Sequence, residues 1–409
     1  MSACGCSVDG LRPVDQAIGE LLARVSGVPE VEQVALADAL GRVLAEPLHA
    51  PFAVPQWDNS AMDGYALRAA DLPAQGGSLP LCGRIAAGDA ASAVLPVGQA
   101  VRIFTGAPLP PGADTVVAQE DCRVEGQRVW LPPVSPGAHV RVQGEELAAG
   151  TLVLESGRRL RAQELGLLAS FGVARVAVYR RLKVGLLSSG DELREPGEAL
   201  EPGQIHDANR YSLIGILQSL GLAVRDYGCV RDDLPATLAA LQQAARECDV
   251  LLTSGGVSVG EEDHLKQAVA TLGELQLWRL AIQPGKPLAF GQVAGKPWLG
   301  LPGNPAATLI TALVVARPFL LSSQGCREVL PQAVRLPAGF AWSRVNGRRQ
   351  YLRARLESRN GELSVVLHPR QGSAMLTSAC WADGLAVVES GQLLQAGEPV
   401  EFIAFSAFA

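Results

Sequence analysis

The stretch from Leu251 to Asp263 joins an apolar run, a glycine-rich turn and a set of acids, and reads LLTSGGVSVGEED. Glycine has no Cβ, so backbone N–H groups in such a turn can approach an oxyanion closely. The stretch has no Walker lysine, and acids stand where a phosphate cradle usually has a cation. Because carboxylate and phosphate repel each other unless a cation lies between them, the pattern predicts a bridging divalent metal.

Two further turns rich in proline and glycine follow in the sequence. They are Pro284-Gly285-Lys286-Pro287 and Leu301-Pro302-Gly303-Asn304-Pro305. Proline restricts φ and so makes a turn rigid. We expect the three turns to close one pocket.

Composition limits the class of protein. The chain has 409 residues, a formal net charge of −6, 48% hydrophobic and 19% charged residues. This is typical of a globular protein of roughly two to four domains, and it argues against a general nucleic-acid binder, which needs a basic surface. The longest apolar run, Leu309 to Leu321, contains Arg317 and Pro318 and is shorter than the ~20 residues of a membrane span. We expect a cytoplasmic protein with no membrane partner and no nucleic-acid partner.

The elements that must position these turns can be predicted from apolar periodicity. A helical pattern covers residues 13–25 and repeats over 33–45, whereas short β-prone runs separated by Gly and Pro turns fill residues 51–146. From 183 to 322 strands alternate with helices, which predicts a parallel sheet covered on both faces, with ligands at the carboxyl ends of its strands. The predicted strands are 184–187, 222–229 and 250–253, and the predicted helices are 209–220, 234–247, one after Gly260 and one from Asn304-Pro305.

Two motifs fall at the predicted carboxyl ends of strands, namely Ser189-Gly190-Asp191-Glu192 and Ser254-Gly255-Gly256. From about residue 328 the pattern is β again. Predicted strands at 349–356, 363–367, 386–388 and 400–403 indicate a small C-terminal β-barrel or sandwich.

Taken together, the motifs are specific enough to indicate a family. They are DNSAMDGYA (58–66), FTGAP (104–108), SGDEL (189–193), SGGVS (254–258), PGKP (284–287) and LPGNP (301–305). In this order they resemble the molybdopterin molybdenumtransferase family over nearly the whole chain, and also the C-terminal region of gephyrin. The resemblance implies insertion of molybdate into adenylylated molybdopterin with Mg²⁺ and release of AMP.

The resemblance also implies an architecture. Members are elongated homodimers of multidomain α/β plus β subunits, with the active cleft between the inserted β domain of one subunit and the α/β domain of the other. The implied division has a mixed helical domain, an inserted β-rich domain, a doubly wound α/β molybdopterin-binding domain and a C-terminal β-barrel. In this chain these correspond to residues 22–50 with 147–178, 51–146, 1–21 with 179–327, and 328–409.

Matching the family's acids assigns metal ligands. Asp263 and Glu192 are the expected catalytic acids and Mg²⁺ ligands, with Asp232 as a further metal ligand. Each has a purely structural alternative. Asp263 can favour a helix N-terminus, Glu192 can begin a turn, and Asp232 can cap the helix that follows it.

The same matching assigns an oxyanion site. Lys286, fixed between two prolines, is expected to contact the molybdate dianion. Further binding or wall positions are Ser258, Gly255, Gly256, Pro287, Pro302, Pro305, Arg348 and Ser373. Two positions depart from the family, since Arg279 and Gln283 stand where many relatives have lysine. Arg279 keeps the charge, whereas Gln283 loses it.

Four expected residues lie on the inserted domain. Asp63 and Thr105 would reach across the dimer into the partner's cleft, and Arg141 and Glu146 would bind substrate or form a salt bridge. Two alternative functions remain, namely the adenylyltransferase of the same pathway and a non-catalytic gephyrin-like scaffold. Possible partners besides a second copy are that adenylyltransferase and molybdoenzyme maturation proteins.

Overall fold

A computed structural model describes residues 10–90, 93–256, 264–359 and 361–408. By backbone contacts the chain divides into two compact units. The larger unit contains Met1–Ala45, Gly157–Leu165 and Ala174–Ala409, and the smaller unit contains Glu46–Ser156 and Gly166–Val173. The four-domain division expected from the family stays a prediction.

The elements up to residue 179 are short. The helices are α1 Val14–Leu22 and α2 Ala162–Ser170. The strands are β1 Val31–Ala35, β2 Leu48–His49, β3 Asn59–Ser60, β4 Gly64–Leu67, β5 Gly77–Ile85, β6 Ala100–Ile103, β7 Thr115–Ala118, β8 Arg123–Glu125, β9 Arg128–Leu131, β10 Val140–Arg141, β11 Leu152–Leu154 and β12 Arg175–Tyr179. The predicted first helix is confirmed as α1.

The helix predicted over residues 33–45 is wrong. This part of the chain forms β1, which pairs antiparallel with β12, followed by a single 3₁₀ turn over Leu36–Asp38. Gly41 then takes a left-handed backbone conformation, with φ of +72°. The apolar spacing matched a helix, but pairing with a strand about 140 residues away supplied the backbone hydrogen bonds instead, as tertiary context often does.

The smaller unit is built on one sheet with strand order β7-β4-β6-β5-β9-β8. Along β4, Tyr65 and Leu67 belong to one apolar cluster, whereas Ala66 belongs to another. Because side chains alternate between the faces of a strand, both faces of this sheet are covered. The predicted β-rich texture is confirmed, and β8 forms an antiparallel hairpin with β9.

The larger unit has an α/β layer. Its helices are α3 Ala208–Ser219, α4 Leu234–Glu247, α5 His264–Leu272, α6 Pro305–Thr311 and α7 Arg317–Ser323. Its strands are β13 Lys183–Ser189, β14 Leu193–Arg194, β15 Ile205–His206, β16 Ala223–Val230, β17 Val250–Ser254, β18 Gly273–Arg279, β19 Ile282–Gln283, β20 Pro287–Val293 and β21 Lys296–Leu301. The predicted order of strands and helices is confirmed.

The main sheet of this layer has the order β16-β13-β17-β21-β20-β18. The first four strands are parallel, as predicted, but β20 and β18 are antiparallel to their neighbours. The predicted strands are therefore parallel to one another, and the two antiparallel strands were not among those predicted. A tight turn with positive φ at both Ala294 and Gly295 joins β20 to β21, and this turn geometry suits an antiparallel hairpin.

Both faces of this sheet are covered, as predicted. On β17, Leu252 packs in a cluster with Leu213 of α3 and Phe319 of α7. The neighbouring Leu251 packs in a second cluster with Leu241 of α4 and Leu265 of α5. The layer is thus doubly wound, with helices on each side of the strands.

The segment Pro305–Ser323 is helical throughout, so Arg317 and Pro318 do not interrupt it. A π-helical stretch, Ala312–Ala316, joins α6 to α7, and Pro318 lies in the first turn of α7, where its missing N–H is least costly. Within the described residues this is one helix long and apolar enough to cross a membrane, but 89% of its apolar window is buried in the protein. It is a core helix here.

The C-terminal part of the larger unit is a second sheet. Its elements are β22 Val334–Pro337, β23 Arg349–Arg359, β24 Glu362–Leu367, α8 Leu376–Trp381, β25 Gly384–Val388 and β26 Pro399–Ala404. The order is β19-β23-β25-β26-β22, and β24 pairs with β23. A bridge between Ala338 and Val365 connects the end of β22 to β24, so the strands close into the predicted small barrel.

Gly64 shows why the Asp63-Gly64 motif needs glycine. A Cβ at Gly64 would lie 1.9 Å from the carbonyl oxygen of Val117 on the paired strand β7. Its φ is not positive, so the requirement comes from close packing of two backbones and not from strain in a turn.

We therefore predict that Gly64→Ala destabilises the protein by about 3 kcal/mol, because the methyl group must displace backbone in a packed sheet. Gly166→Ala is the matched control in the same unit, because nothing lies within 4 Å of its Cβ position. In helix α2 it should stabilise by about 0.5–1 kcal/mol. Urea unfolding of both variants measures the difference, and equal stabilities would contradict this account.

Candidate functional site

A cavity of about 850 Å³ opens in the larger unit at the carboxyl ends of β13, β17 and β21. Loops that follow these strands form one side, and residues from the β19 and β23 region form the other. Predicted site residues that line it are Glu192, Gly255, Gly256, Gln283, Lys286, Pro287, Pro302, Pro305, Arg348 and Ser373. The fold thus gathers residues spread over about 180 positions of sequence.

Four predicted site residues of the larger unit are not found among the described residues that line the cavity. Ser258 and Asp263 lie outside the described residues. Arg279 is exposed at the end of β18, where it pairs with Pro287, and it is not among the cavity-lining residues. Asp232 is not among them either, and its N–H donates to Asp191 Oδ1 at 3.1 Å. The cap of α4 is Asp233, which accepts from the N–H of Ala236 at 2.8 Å.

The turn after β17 is held close to the end of β13. Gly255 and Gly256 have φ of +87° and +64°, a conformation that glycine adopts without a steric penalty. A Cβ at Gly255 would lie 2.6 Å from the carbonyl oxygen of Ser189. Glycine is therefore required here both by conformation and by space, and the turn's backbone lies at the cavity wall.

The turn that carries Lys286 is equally constrained. The Gln283–Pro284 peptide bond is cis, and Gly285 has φ of +107°. A Cβ at Gly285 would lie 2.2 Å from Oγ1 of Thr311 on α6. The carbonyl of Lys286 accepts from the N–H of Leu280 at 2.8 Å. The lysine backbone is thus fixed on both sides of the turn.

Gln283, which replaces a family lysine, has a structural role. Its Oε1 accepts from Asn346 Nδ2 at 2.8 Å. Oδ1 of the same asparagine accepts from the N–H of Arg348 at 3.2 Å. The glutamine therefore anchors the segment that carries Arg348. Gln283 supplies no charge itself, but it helps to hold the backbone of a charged residue that lines the cavity.

Lys286 and Arg348 give the cavity a positive side. Both are half-buried, and neither has a salt bridge to a carboxylate in the part of the chain that the structure describes. Ser373 lines the same cavity, beside the start of α6. A cation that is partly desolvated and not paired within the protein attracts a ligand anion more strongly than a solvated one.

Sequence reasoning missed two polar residues that line the cavity, namely Asp207 and Asn209, and it named Ser254 only as part of a strand-end motif. Asp207 is 2% exposed and caps α3 by accepting from the N–H of Arg210 at 3.1 Å. Its Oδ2 has no hydrogen-bond partner within the described residues and lies 3.7 Å from Arg210 Nε. The signal was available, because an aspartate directly before a predicted helix is a typical N-cap.

Asn209 ties three segments together. Its Nδ2 donates to Ser254 Oγ at 2.9 Å and to the carbonyl of Gly303 at 2.7 Å. It therefore joins the start of α3 to the ends of β17 and β21, and these contacts fix the orientation of the amide. Its Oδ1 is buried and has no hydrogen-bond partner among the described residues.

The smaller unit brings Asp63 and Thr105 together, although they are 42 residues apart. Both the N–H and the hydroxyl of Thr105 donate to Asp63 Oδ1 at 2.8 Å. These bonds stabilise the carboxylate and lower the pKa of Asp63. Arg141 is exposed on β10, opposite Asn59 of β3, and Glu146 is exposed with its N–H bonded to Val54. The expected reach of Asp63 and Thr105 into a partner's cleft stays a prediction, as does substrate binding by Arg141 and Glu146.

Comparisons with known proteins identify the family of this chain. The chain matches, in order, the descriptions MoeA N-terminal region (domain I and II) over residues 12–172, probable molybdopterin binding domain over 185–322 and MoeA C-terminal region (domain IV) over 335–405. It is 40% identical to molybdopterin molybdenumtransferase of Haemophilus influenzae, over 77% of this chain and 78% of that one. The chain belongs to the molybdopterin molybdenumtransferase family. It is accordingly a transferase.

Further relatives support membership of this family over the full length. The molybdopterin molybdenumtransferase of Synechococcus elongatus is 37% identical over 94% of this chain and 97% of its own. The crystal structure of the molybdopterin biosynthesis MoeA protein of Pyrococcus horikoshii OT3 superposes with a TM-score of 0.83 at 28% identity, covering 97% of this chain and 100% of that one.

We predict that Thr105→Val raises the pKa of Asp63 towards its usual range, because one of its two Thr105 hydrogen bonds is lost while the backbone bond remains. The carboxylate should then take up its proton at higher pH than in the wild type. Carboxyl ¹³C NMR titration measures the shift. Thr151→Val, an exposed position of the same unit, should leave it unchanged, and an unchanged pKa in Thr105→Val would refute the assignment.

We predict that Gly285→Ala destabilises the protein by about 3 kcal/mol or more, since the methyl meets Thr311 and the backbone is left-handed. Gly295→Ala is the matched control, with φ of +79° and nothing within 4 Å. It should cost only the conformational penalty of about 1–2 kcal/mol. Thermal unfolding distinguishes the two, and similar losses would mean that contact with Thr311 is unimportant.

Proposed function

We propose that this chain transfers molybdenum from molybdate to adenylylated molybdopterin and releases AMP. The observation that carries the proposal is that Lys286, Arg348 and Ser373 line one cavity at the carboxyl ends of parallel strands. Such edges are where open α/β sheets bind ligands. Membership of the family supports the reaction class.

The positive wall suits molybdate as a substrate. Molybdate is a small tetrahedral dianion, and charge-assisted hydrogen bonds from lysine, arginine and a serine hydroxyl match its oxygens. The Arg348 guanidinium can offer two parallel N–H groups, whereas the Lys286 amine acts as a compact charge. Together they would place the oxyanion beside the rest of the cavity.

The remaining cavity suits the nucleotide-linked pterin. Its volume of about 850 Å³ is near the upper end for small-molecule sites, which run to about 1,000 Å³. The Gly255-Gly256 turn offers backbone N–H groups at a place where no Cβ blocks a phosphate. Asn209, which also lines the cavity, holds the ends of β17 and β21 together beside this turn.

Magnesium fits the oxygen donors of this site. Mg²⁺ usually takes one or two protein carboxylates together with substrate phosphates. Glu192 lines the cavity, whereas the neighbouring Asp207 is buried, caps α3 and pairs with Arg210. Within the described residues no cluster of three or more potential metal ligands occurs, which suits an ion shared with the substrate. We assign Glu192 and the predicted ligand Asp263 to this role, and the ion would neutralise the pyrophosphate charge.

The protein's own contribution is then largely electrostatic. As the phosphoanhydride bond breaks, negative charge grows on the leaving phosphate, and Lys286 and Arg348 stabilise it from fixed positions. Ser373 donates to an oxyanion oxygen. The site requires no covalent protein nucleophile for this transfer.

The proposal includes an assembly and a location. We infer a homodimer in the cytoplasm, in which Asp63 and Thr105 of the partner subunit complete the cleft, and which receives its adenylylated pterin from an adenylyltransferase. Molybdoenzyme maturation proteins would take the product. The family resemblance supports this.

We predict that Lys286→Met lowers AMP release from adenylylated molybdopterin by about 100-fold or more, because a fixed charge facing the transition state is lost. Chromatographic measurement of AMP, with and without molybdate, tests this. Lys183→Met is the matched control, since Lys183 is exposed at the amino end of β13, away from the cavity-lining residues.

Unchanged AMP release in Lys286→Met would refute the proposed site. A wild-type protein that consumes ATP and forms the adenylylated pterin would instead be an adenylyltransferase. A wild-type protein that does neither would be a scaffold.

A further inference from the structure

Arg353 on β23 is a fully buried guanidinium directly behind the cavity wall. It has 0% exposure. Its Nη2 donates to the carbonyl of Gly372 at 3.0 Å, and its Nε donates to Ser378 Oγ at 2.9 Å. Gly372 and the neighbouring Ser373 both line the cavity. One peptide unit therefore separates this buried cation from the wall assigned to the oxyanion.

No carboxylate balances this charge in the part of the chain that the structure describes. No salt bridge to Arg353 is present there, and Nη1 is buried without a hydrogen-bond partner. Burial lowers the pKa of Arg353 to about 10, so the side chain remains protonated at neutral pH. A buried charge without a counter-ion is unusual, because desolvation penalises it.

The loop in front of Arg353 is fastened from two sides. Gln371 accepts from the backbone N–H of Arg353 at 2.9 Å and donates back to its carbonyl at 2.9 Å. On the other side, the carbonyl of Ser373 accepts from the N–H groups of Ala306 and Ala307 at 2.9 and 3.1 Å. The carbonyl groups of Gly372 and Ser373, which lie on either side of the Ser373 N–H, therefore both accept hydrogen bonds.

The planarity of the Gly372–Ser373 peptide fixes the direction of the Ser373 N–H. The Gly372 carbonyl and the Ser373 N–H belong to one trans peptide, so they point in opposite directions. Because the carbonyl points at Arg353, the N–H points away from it. This N–H has no acceptor among the described residues, and the Ser373 hydroxyl has none either.

We propose that Arg353 is a positioning residue for the oxyanion end of the cavity. Together with the N–H of Met375, which donates to the same Gly372 carbonyl at 3.3 Å, it orients the Gly372–Ser373 peptide so that the Ser373 N–H and hydroxyl serve the anion. The charge of Arg353 also polarises that peptide. The bound oxyanion supplies the counter-charge that the described protein lacks. This inference rests on the proposed function, because it assumes that molybdate occupies this wall.

The test uses the full-length chain and sodium molybdate, with tungstate in parallel. Calorimetry should give a molybdate Kd about 10-fold to 100-fold weaker in Arg353→Met than in the wild type, the loss expected for one charge-assisted interaction. Arg353→Lys keeps the charge but cannot make both bonds, so it should fall between them. Arg355→Met is the matched control on the same strand, because its side chain is 42% exposed and pairs with Glu357.

Steady-state kinetics separate this role from a merely structural one. The KM for molybdate should rise in Arg353→Met, while AMP release at saturating molybdate stays within about threefold of the wild type. Reduced AMP release at saturation with an unchanged KM would overturn the inference, as would wild-type molybdate affinity in Arg353→Met. Should Arg353→Met fail to fold, wild-type affinity in Arg353→Lys would overturn it equally.

Failure of the proposed function gives a different result. In that case the wild-type protein itself would bind neither molybdate nor tungstate. Weak binding in the Arg353 variants beside firm binding in the wild type and in Arg355→Met supports the inference.

Discussion

The close approach of glycine backbone to neighbouring segments around the cavity is the constraint on which the site depends. Gly255 lies against the carbonyl of Ser189, and Gly285 lies against Thr311, in each case with no room for a Cβ. These contacts bring the strand ends and α6 close enough to share one cavity. A methyl group at either position would push apart segments that line the same cavity. The geometry of the site therefore depends on glycine at both positions.

A second feature of the cavity is that its cationic side chains form no salt bridges with carboxylates of the described protein. Lys286 and Arg348 have no carboxylate partner in the described residues, and Arg353 behind the wall has none either. The acidic residues Glu192 and Asp207 line the cavity as well. A site with unpaired cations and available carboxylates can hold an anion and a divalent cation together, because each offsets the cost of desolvating the other.

Gln283 illustrates how a departure from the family can be absorbed. The sequence showed only that a charge is lost where many relatives have lysine. In the fold, its amide oxygen holds Asn346, which in turn holds the backbone of Arg348. Such a relay could not be predicted from the sequence, since residues 283 and 346 are brought together by the pairing of β19 with β23.

The sequence alone determined the family, the order of strands and helices in the α/β layer and the glycine and proline turns, because these depend on local periodicity and on residues with restricted or unusual backbone freedom. Only the tertiary structure decided that Val31–Ala35 pairs as a strand with β12, that β18 and β20 run antiparallel, and that Arg353 is buried without a counter-ion among the described residues. Each of these depends on a partner distant in sequence. Strand pairing and burial depend on contacts between segments that are distant in sequence, and a local sequence pattern does not specify those contacts.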